Sequence, residues 1–248
     1  IGFGPVLLVI VSVATVILAG GIIAHLLGLQ RNLGLLTGGA VAICGASAAL
    51  ALSAVMPHNA THERNTILTV VGVTTLSTVA MVTYPLIVGA LGLSDVKAGV
   101  FLGATIHDVA QVVGAGYMIS DQAGDTSTLI KLLRVAMLVP VVLAFMWFFR
   151  KDRDAEEGKS PVMLPGFLVA FILLVVINSL GWIPEVAADG LTTLSRWCLV
   201  AAIAALGIKT SFQKLAVVGW KPVILMLTET VLLLALVLGV VVYIGPGA

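Results

Sequence analysis

The chain has 248 residues, 60% of them hydrophobic and 10% charged, with a formal net charge of +1 and a mean hydropathy of +1.16. Soluble domains carry about 25% charged residues, so this composition excludes a water-soluble globular protein. The near-neutral balance leaves no electrostatic footprint for nucleic acid.

A helix needs about 20 mostly apolar residues to cross a bilayer. Eight runs meet or approach that length: 4–29, 33–56, 66–93, 98–120, 129–149, 161–183, 192–209 and 221–244. They predict an all-α polytopic transmembrane bundle of about eight helices, two of them discontinuous, forming a single transmembrane transporter domain over residues 1–248. The two cysteines, Cys44 and Cys198, lie inside apolar runs, which argues against a disulfide framework. The first residue is Ile1, and the first run has neither a basic flank nor a small-residue cleavage site. It does not read as a signal peptide, and the chain is expected to be the C-terminal part of a longer protein.

If every run crosses, one side collects Arg31, Lys97, the Arg150, Lys151, Arg153 and Lys159 cluster, Lys209, Lys214 and Lys221. The other side carries Arg64 beside Glu63, Asp121, Asp125, Glu185 and Asp189. Basic loops stay in the cytoplasm, so both ends of the chain are expected outside, and a cytoplasmic N-terminus of the whole protein would require an odd number of helices upstream. Asn59-Ala60-Thr61 fits the glycosylation sequon, a three-residue match that chance supplies readily. In the same loop His58, His62 and Glu63 lack the further ligand that a metal would need.

Polar side chains inside such runs are costly and point to function. The second run holds Thr37-Gly38-Gly39 and then Cys44-Gly45-Ala46-Ser47, a string of small residues that weakens the helix. A helix broken there aims the start of its second half, with unpaired N–H groups, at the midplane, where an anion can bind. Simple close packing of small residues is the competing reading. The fourth run carries His107, Asp108 and Gln111 between Gly103 and Gly114. As one helix it puts His107 and Gln111 on one face, with Asp108 about 100° away; the flanking glycines also allow the helix to break, which would present N–H groups at the start of its second half as an anion site. An imidazole beside a carboxylate suits proton carriage; bonding between neighbouring helices is the alternative. Gly39-Ala40 before Ile43 and Gly103-Ala104 before Ile106 hint at an internal repeat, offset by one residue.

Lys131 and Arg134 start the fifth run at its outer end, where they either attract an anion or snorkel to the interface. Arg196 reads as a snorkelling residue and His25 as interfacial. Glu229, two turns into the last run, reads as a proton carrier or an ion-pair partner. Pro85 and Pro140 predict kinks. No phosphate-binding loop, dinucleotide fingerprint or Cys-x-x-Cys occurs, so neither a cofactor nor a metal is expected.

Three stretches occur in a telling order: Ile43-Cys44-Gly45-Ala46-Ser47-Ala48-Ala49, Thr105-Ile106-His107-Asp108-Val109-Ala110-Gln111-Val112-Val113, and Lys131-Leu132-Leu133-Arg134 leading to Pro140. Asn178-Ser179, the segment 205–210 and Lys221-Pro222 follow. Over nearly the whole chain this resembles the sulfate exporter family of bacterial inner-membrane proteins, long labelled conserved hypothetical. The resemblance implies an inner-membrane carrier of about eleven helices, distantly related to the bile acid, arsenite and riboflavin transporter superfamily with its inverted repeats and unwound helices. It also implies about three helices upstream of this chain.

The expectation is therefore a secondary-active transporter, an exporter, of a small anion such as sulfate or a sulfonate-derived oxyanion, with proton coupling and no enzymatic activity. Cys44, Gly45, Ser47, His107, Gln111, Lys131 and Arg134 are the candidate substrate residues, and His107, Asp108 and Glu229 the candidate proton-coupling residues. The partners are the anion, the lipid bilayer and a second copy in a homodimer. The location is the bacterial inner membrane, with the C-terminus on the periplasmic side. A passive channel using the same polar ring as a filter is the alternative. An intramembrane enzyme built on His107, Asp108 and Ser47 or Cys44 lacks a nucleophile elbow and a supporting partner.

Overall fold

The computed structural model describes residues 3–57, 60–150, 166–184, 220–243 and single positions between 187 and 201. The chain divides into two compact units, residues 1–149 with 211–248, and residues 150–210. Every element delimited among the described residues is an α-helix. The helical bundle expected from composition is thus present. His58, Asn59, most of the seventh run with Arg196, the cluster from Lys151 to Lys159, Lys214 and the segment 205–210 lie outside the described residues.

In the second unit the described helix is α9 (Gly166–Ser179). It stops where Gly181 takes φ 69 and returns its N–H to the Asn178 carbonyl at 3.0 Å. In the first unit four stretches are long and apolar enough to cross a membrane: α1 (Phe3–Leu26), α4 (His62–Leu91), α7 (Asp121–Ala136) with α8 (Leu138–Phe148), and α10 (Trp220–Tyr243). At 1.5 Å per residue, the 24 residues of α1 span about 36 Å. Thr69, Thr74, Thr75, Thr78 and Thr83 of α4 each return a hydroxyl to the carbonyl four residues back, so these hydroxyls need no water. The expected irregularity near Pro140 is the α7–α8 joint at Met137, because Pro140 has no N–H for the preceding turn. Pro85 is carried within a continuous α4.

The second and fourth runs are each broken in two. The second gives α2 (Arg31–Ala42) and α3 (Ala46–Val55), and the fourth gives α5 (Asp95–Thr105) and α6 (Val109–Tyr117). The longest of these, α2 with 12 residues, reaches about 18 Å, well short of a bilayer core.

Both pairs fold back on themselves. Leu52 of α3 packs onto Gly39 of α2, where a β-carbon would collide with its Cδ1. Beyond α3, the Thr61 hydroxyl donates to Gln30 Oε1, just before α2, at 3.1 Å. In the second pair a β-carbon on Gly99 of α5 would lie 2.9 Å from the Ala123 carbonyl oxygen, and one on Gly116 of α6 would lie 3.2 Å from it. Both arms therefore sit level with the first turn of α7. Each broken run is a re-entrant hairpin, and neither crosses.

The hairpins enter from opposite ends. Hairpin 1 (α2–α3) starts where α1 finishes, at a basic end that holds Arg31, Arg64 and Lys221. There Arg31 lies over the Phe148 ring at 5.9 Å, and Lys221 Nζ donates to the Leu27 carbonyl at 3.0 Å. Hairpin 2 (α5–α6) starts where α4 finishes, at an acidic end that holds Asp95, Asp121 and Asp125 with Lys97. The sequence reading, which made both runs cross, is corrected here. Arg64 moves to the basic end and Lys97 to the acidic one. Two missing crossings cancel, so α10 still runs from the basic to the acidic end.

Glycines bring α1 and α2 together: a β-carbon on Gly34 would collide with the Gly20 carbonyl oxygen, and one on Gly38 would lie 2.9 Å from that of Val16. Such contacts replace the hydrophobic drive that lipid removes. Leu7, Ile10, Val11, Leu18 and Ile22 of α1 point outward, as side chains bathed in hydrocarbon do.

Candidate functional site

The hairpin tips meet. At tip 1, α2 ends at Ile43, and Gly45 takes φ 68, ψ −124 before α3 begins. Only a residue without a β-carbon adopts that backbone readily. No side chain caps the start of α3. At tip 2, Ile106 and Asp108 are extended, at φ −66, ψ 137 and φ −94, ψ 139. The Asp108 carboxylate then accepts from the N–H groups of Ala110 at 2.9 Å and Gln111 at 3.4 Å, capping α6. A β-carbon on Gly45 would stand 3.6 Å from His107 Cβ, in ordinary contact.

His107 is fully buried. Its Nδ1 lies 3.1 Å from the Val41 carbonyl and its Nε2 lies 3.2 Å from the Thr230 hydroxyl. A carbonyl only accepts, so Nδ1 carries a hydrogen, and a neutral ring then receives the Thr230 hydroxyl at Nε2. With its helix broken, His107 shares no face with Gln111, and its ring nitrogens engage neither Gln111 nor Asp108. The Asp108 backbone N–H donates instead to Ser77 Oγ at 2.9 Å, and Gln111 Nε2 donates to Thr78 Oγ1 at 3.0 Å. The Thr78 hydroxyl hydrogen already goes to Thr74. Gln111 Oε1 is buried without a partner among the described residues.

Lys131 and Arg134 are also fully buried, which overturns their expected place at the outer end of a run. The helix begins at Asp121, two turns earlier than its apolar stretch, with Ser120 accepting from Ala123 N–H at 3.1 Å. That starts both cations at mid-helix. Arg134 spends its N–H groups on backbone carbonyls: Nε on Ala42 at 2.9 Å, one terminal nitrogen on Gly103 and Ile106, the other on Val41 and Ala42 at 2.8 and 2.7 Å. Lys131 donates to Ile43 at 2.8 Å and Ile106 at 2.9 Å. Both charges thus sit at the carbonyl ends of α2 and α5, where the half-helix dipoles are negative. They clip the two hairpins together.

Cys44 is a buried free thiol beside Gly45. Ser47 lies in the first turn of α3 on an exposed face with Leu50, away from the tips' buried contact. Glu229 of α10 is fully buried, with Oε1 accepting from the Thr37 hydroxyl at 2.8 Å and Oε2 unpartnered among the described residues. Cys44, Gly45, His107, Lys131 and Arg134 therefore converge. Asp108 and Gln111 face α4, while Glu229 stands against α1 and α2. Thr37, Ser77, Thr78 and Thr230 went unread in the sequence. Their only signal is a hydroxyl in an apolar helix, which is too common to single out. Among the described residues no three or more His, Cys, Asp or Glu side chains gather as a metal site would require.

These features define an integral membrane protein built on two opposed re-entrant hairpins. The chain belongs to the family described as conserved hypothetical protein 698, which matches residues 1–226. It is 53% identical to a UPF0324 membrane protein of Chlorobaculum tepidum over 247 residues, 99% of this chain and 69% of that protein. It is 47% identical to a UPF0324 membrane protein of Rhizobium meliloti, covering 99% of this chain and 72% of the relative. With the UPF0324 membrane protein TauZ of Paracoccus denitrificans it shares 50% identity over 235 residues, 94% of this chain and 70% of the relative. No solved structure matches the chain.

Proposed function

We propose that this protein is a secondary-active transporter that exports a small oxyanion, sulfate or one derived from a sulfonate, across the bacterial inner membrane. The supporting observation is the meeting of two opposed hairpin tips at Gly45 and His107. Non-helical backbone at membrane depth persists only where protein buries it or a water path reaches it. Tips entering from opposite ends offer each side its own approach to one central point, as alternating access needs.

The chemistry at the tips favours an anion at hairpin 1. The first N–H groups of α3 have no side-chain cap, whereas those of α6 already hold the Asp108 carboxylate. Lys131 uses two of its three donors on carbonyls among the described residues, leaving one for a ligand beside Cys44 and Gly45. Gln111 would orient the anion once the tips part, whereas Ser47, on the exposed face of α3, would not reach it there. Arg134, with every N–H engaged, would hold the hairpins and not the substrate. The basic end would face the cytoplasm, so α10 would finish on the periplasmic side.

Purified full-length protein in proteoliposomes tests this with radiolabelled sulfate and a small sulfonate. Saturable counterflow, at least about tenfold reduced in Lys131→Met, is the expected result, a loss of ~1.4 kcal/mol. Wild-type flux no greater than in protein-free vesicles would reject the reading. Single-channel currents would replace a carrier by a channel.

A further inference from the structure

We infer that Glu229 is the proton-binding residue of this protein, taking up and releasing its proton at Oε2 and thereby switching the contact between α10 and hairpin 1. The link to transport rests on the function proposed above; the binding of a proton does not.

The seat of this carboxyl is unusual in being made of backbone. Gly20 of α1 and Gly34 of α2 touch there, and a β-carbon on Gly20 would run into both the Gly34 carbonyl oxygen and Glu229 Oε1. The Thr37 hydroxyl, at 2.8 Å, is the hydrogen-bond partner of Oε1, and the same hydroxyl lies 3.3 Å from the Gly34 carbonyl. Oε2 is buried with no partner among the described residues. An ionised carboxylate sealed this way is costly unless a cation or several donors attend it. As a neutral acid the same group fits, and its spare oxygen is where the proton goes on and off.

The other titratable groups of the surrounding elements do not reach it. In α1 and α2 they are His25 and Arg31, both exposed at the basic end, where Lys221 begins α10. In α5 they are Asp95 and Lys97, at the acidic end. In α4, His62, Glu63 and Arg64 lie at the basic end, and Tyr84 stacks against Phe101. Lys131 and Arg134 of α7 are bound to carbonyls of the tips. The two other candidates for proton carriage are already employed. Asp108 caps α6, and both ring nitrogens of His107 are engaged.

Position makes this carboxyl consequential. Glu229 and Thr230 are neighbours in α10, yet Glu229 holds hairpin 1 through Thr37 while Thr230 holds the tip of hairpin 2 through His107. Loss of the proton leaves a charge wedged between α1 and α2. That charge favours entry of water and separation of α10 from hairpin 1, a movement that Thr230 passes to His107. A proton bound at Glu229 would therefore favour the closed arrangement seen here.

Infrared difference spectroscopy of the purified full-length protein, titrated with acid and base, tests the inference. A carbonyl-stretch band of a protonated, buried carboxyl is expected in the wild type, absent in Glu229→Gln and shifted in Thr37→Val. Glu63→Gln, an exposed control on α4, retains it. A titrating band unchanged in Glu229→Gln, or unmoved in Thr37→Val should the first variant fail to fold, overturns proton binding at Glu229. In proteoliposomes, sulfate flux that varies with pH in the wild type becomes flat with pH in Glu229→Gln. A Glu229→Gln flux that keeps the wild-type pH profile overturns the coupling. Absence of any wild-type sulfate flux would remove the transport reading while the infrared band still decides the proton site.

Discussion

Hairpins 1 and 2 reach the same point from opposite ends with the same architecture, two short helices around a three-residue tip, but they break their helices by different chemistry. Hairpin 1 turns on Gly45 at φ 68, ψ −124 and leaves the start of α3 uncapped. Hairpin 2 turns on extended L-residues and neutralises the start of α6 with its own Asp108 carboxylate. One tip leaves its N–H groups without a side-chain cap; the other carries an internal carboxylate. Both send their first-arm carbonyls to the same two cations on α7, so the pair is fastened at the carbonyl side and differentiated at the N–H side.

Replacing the fastener should have the largest effect. Arg134→Met strands the Ala42 and Gly103 carbonyls, which have no other donor at the tips among the described residues. A loss of about 2–6 kcal/mol is expected for two buried groups stranded at ~1–3 kcal/mol each, read as a fall in thermal unfolding temperature in detergent. Arg134→Lys should rescue little, because an ammonium has three donors and no planar fork to replace the five N–H bonds that reach Val41, Ala42, Gly103 and Ile106. Equal stability of Arg134→Met and wild type would dissolve the idea of a shared clip.

Next comes Gly45→Ala. The new methyl would meet His107 at ordinary contact distance, so the expected destabilisation of about 1–3 kcal/mol comes from backbone strain. Gly89→Ala is the matched control, since nothing lies within 4 Å of its β-carbon position and it sits inside α4; no loss is expected there. Asp108→Ala should cost about 1 kcal/mol by removing the α6 cap, and Asp108→Asn less, by the same melt. A cap effect as large as the glycine effect would mean the two tips are more alike than their chemistry suggests. The smallest effect is kinetic. In a Cys198→Ser background, buried Cys44 should react with a maleimide reagent more slowly in the folded protein than after denaturation, and comparable rates would show the tips parting readily.

The amino-acid sequence by itself determined that the protein lives in a membrane, that glycines weaken the second run around Gly45 and the fourth on either side of His107 and Asp108, and which family it joins. Those properties follow from composition and from local backbone preference, which need no partners. Whether a weakened run crosses or turns back was decided by tertiary contacts, Leu52 over Gly39 and both Gly99 and Gly116 against Ala123, because either path has the same residues in the same order. The same holds for the charges. Apolarity along the chain put Lys131 and Arg134 at a membrane surface. Only the assembled bundle supplies, from α2 and α5, the carbonyls that let two cations remain at its centre.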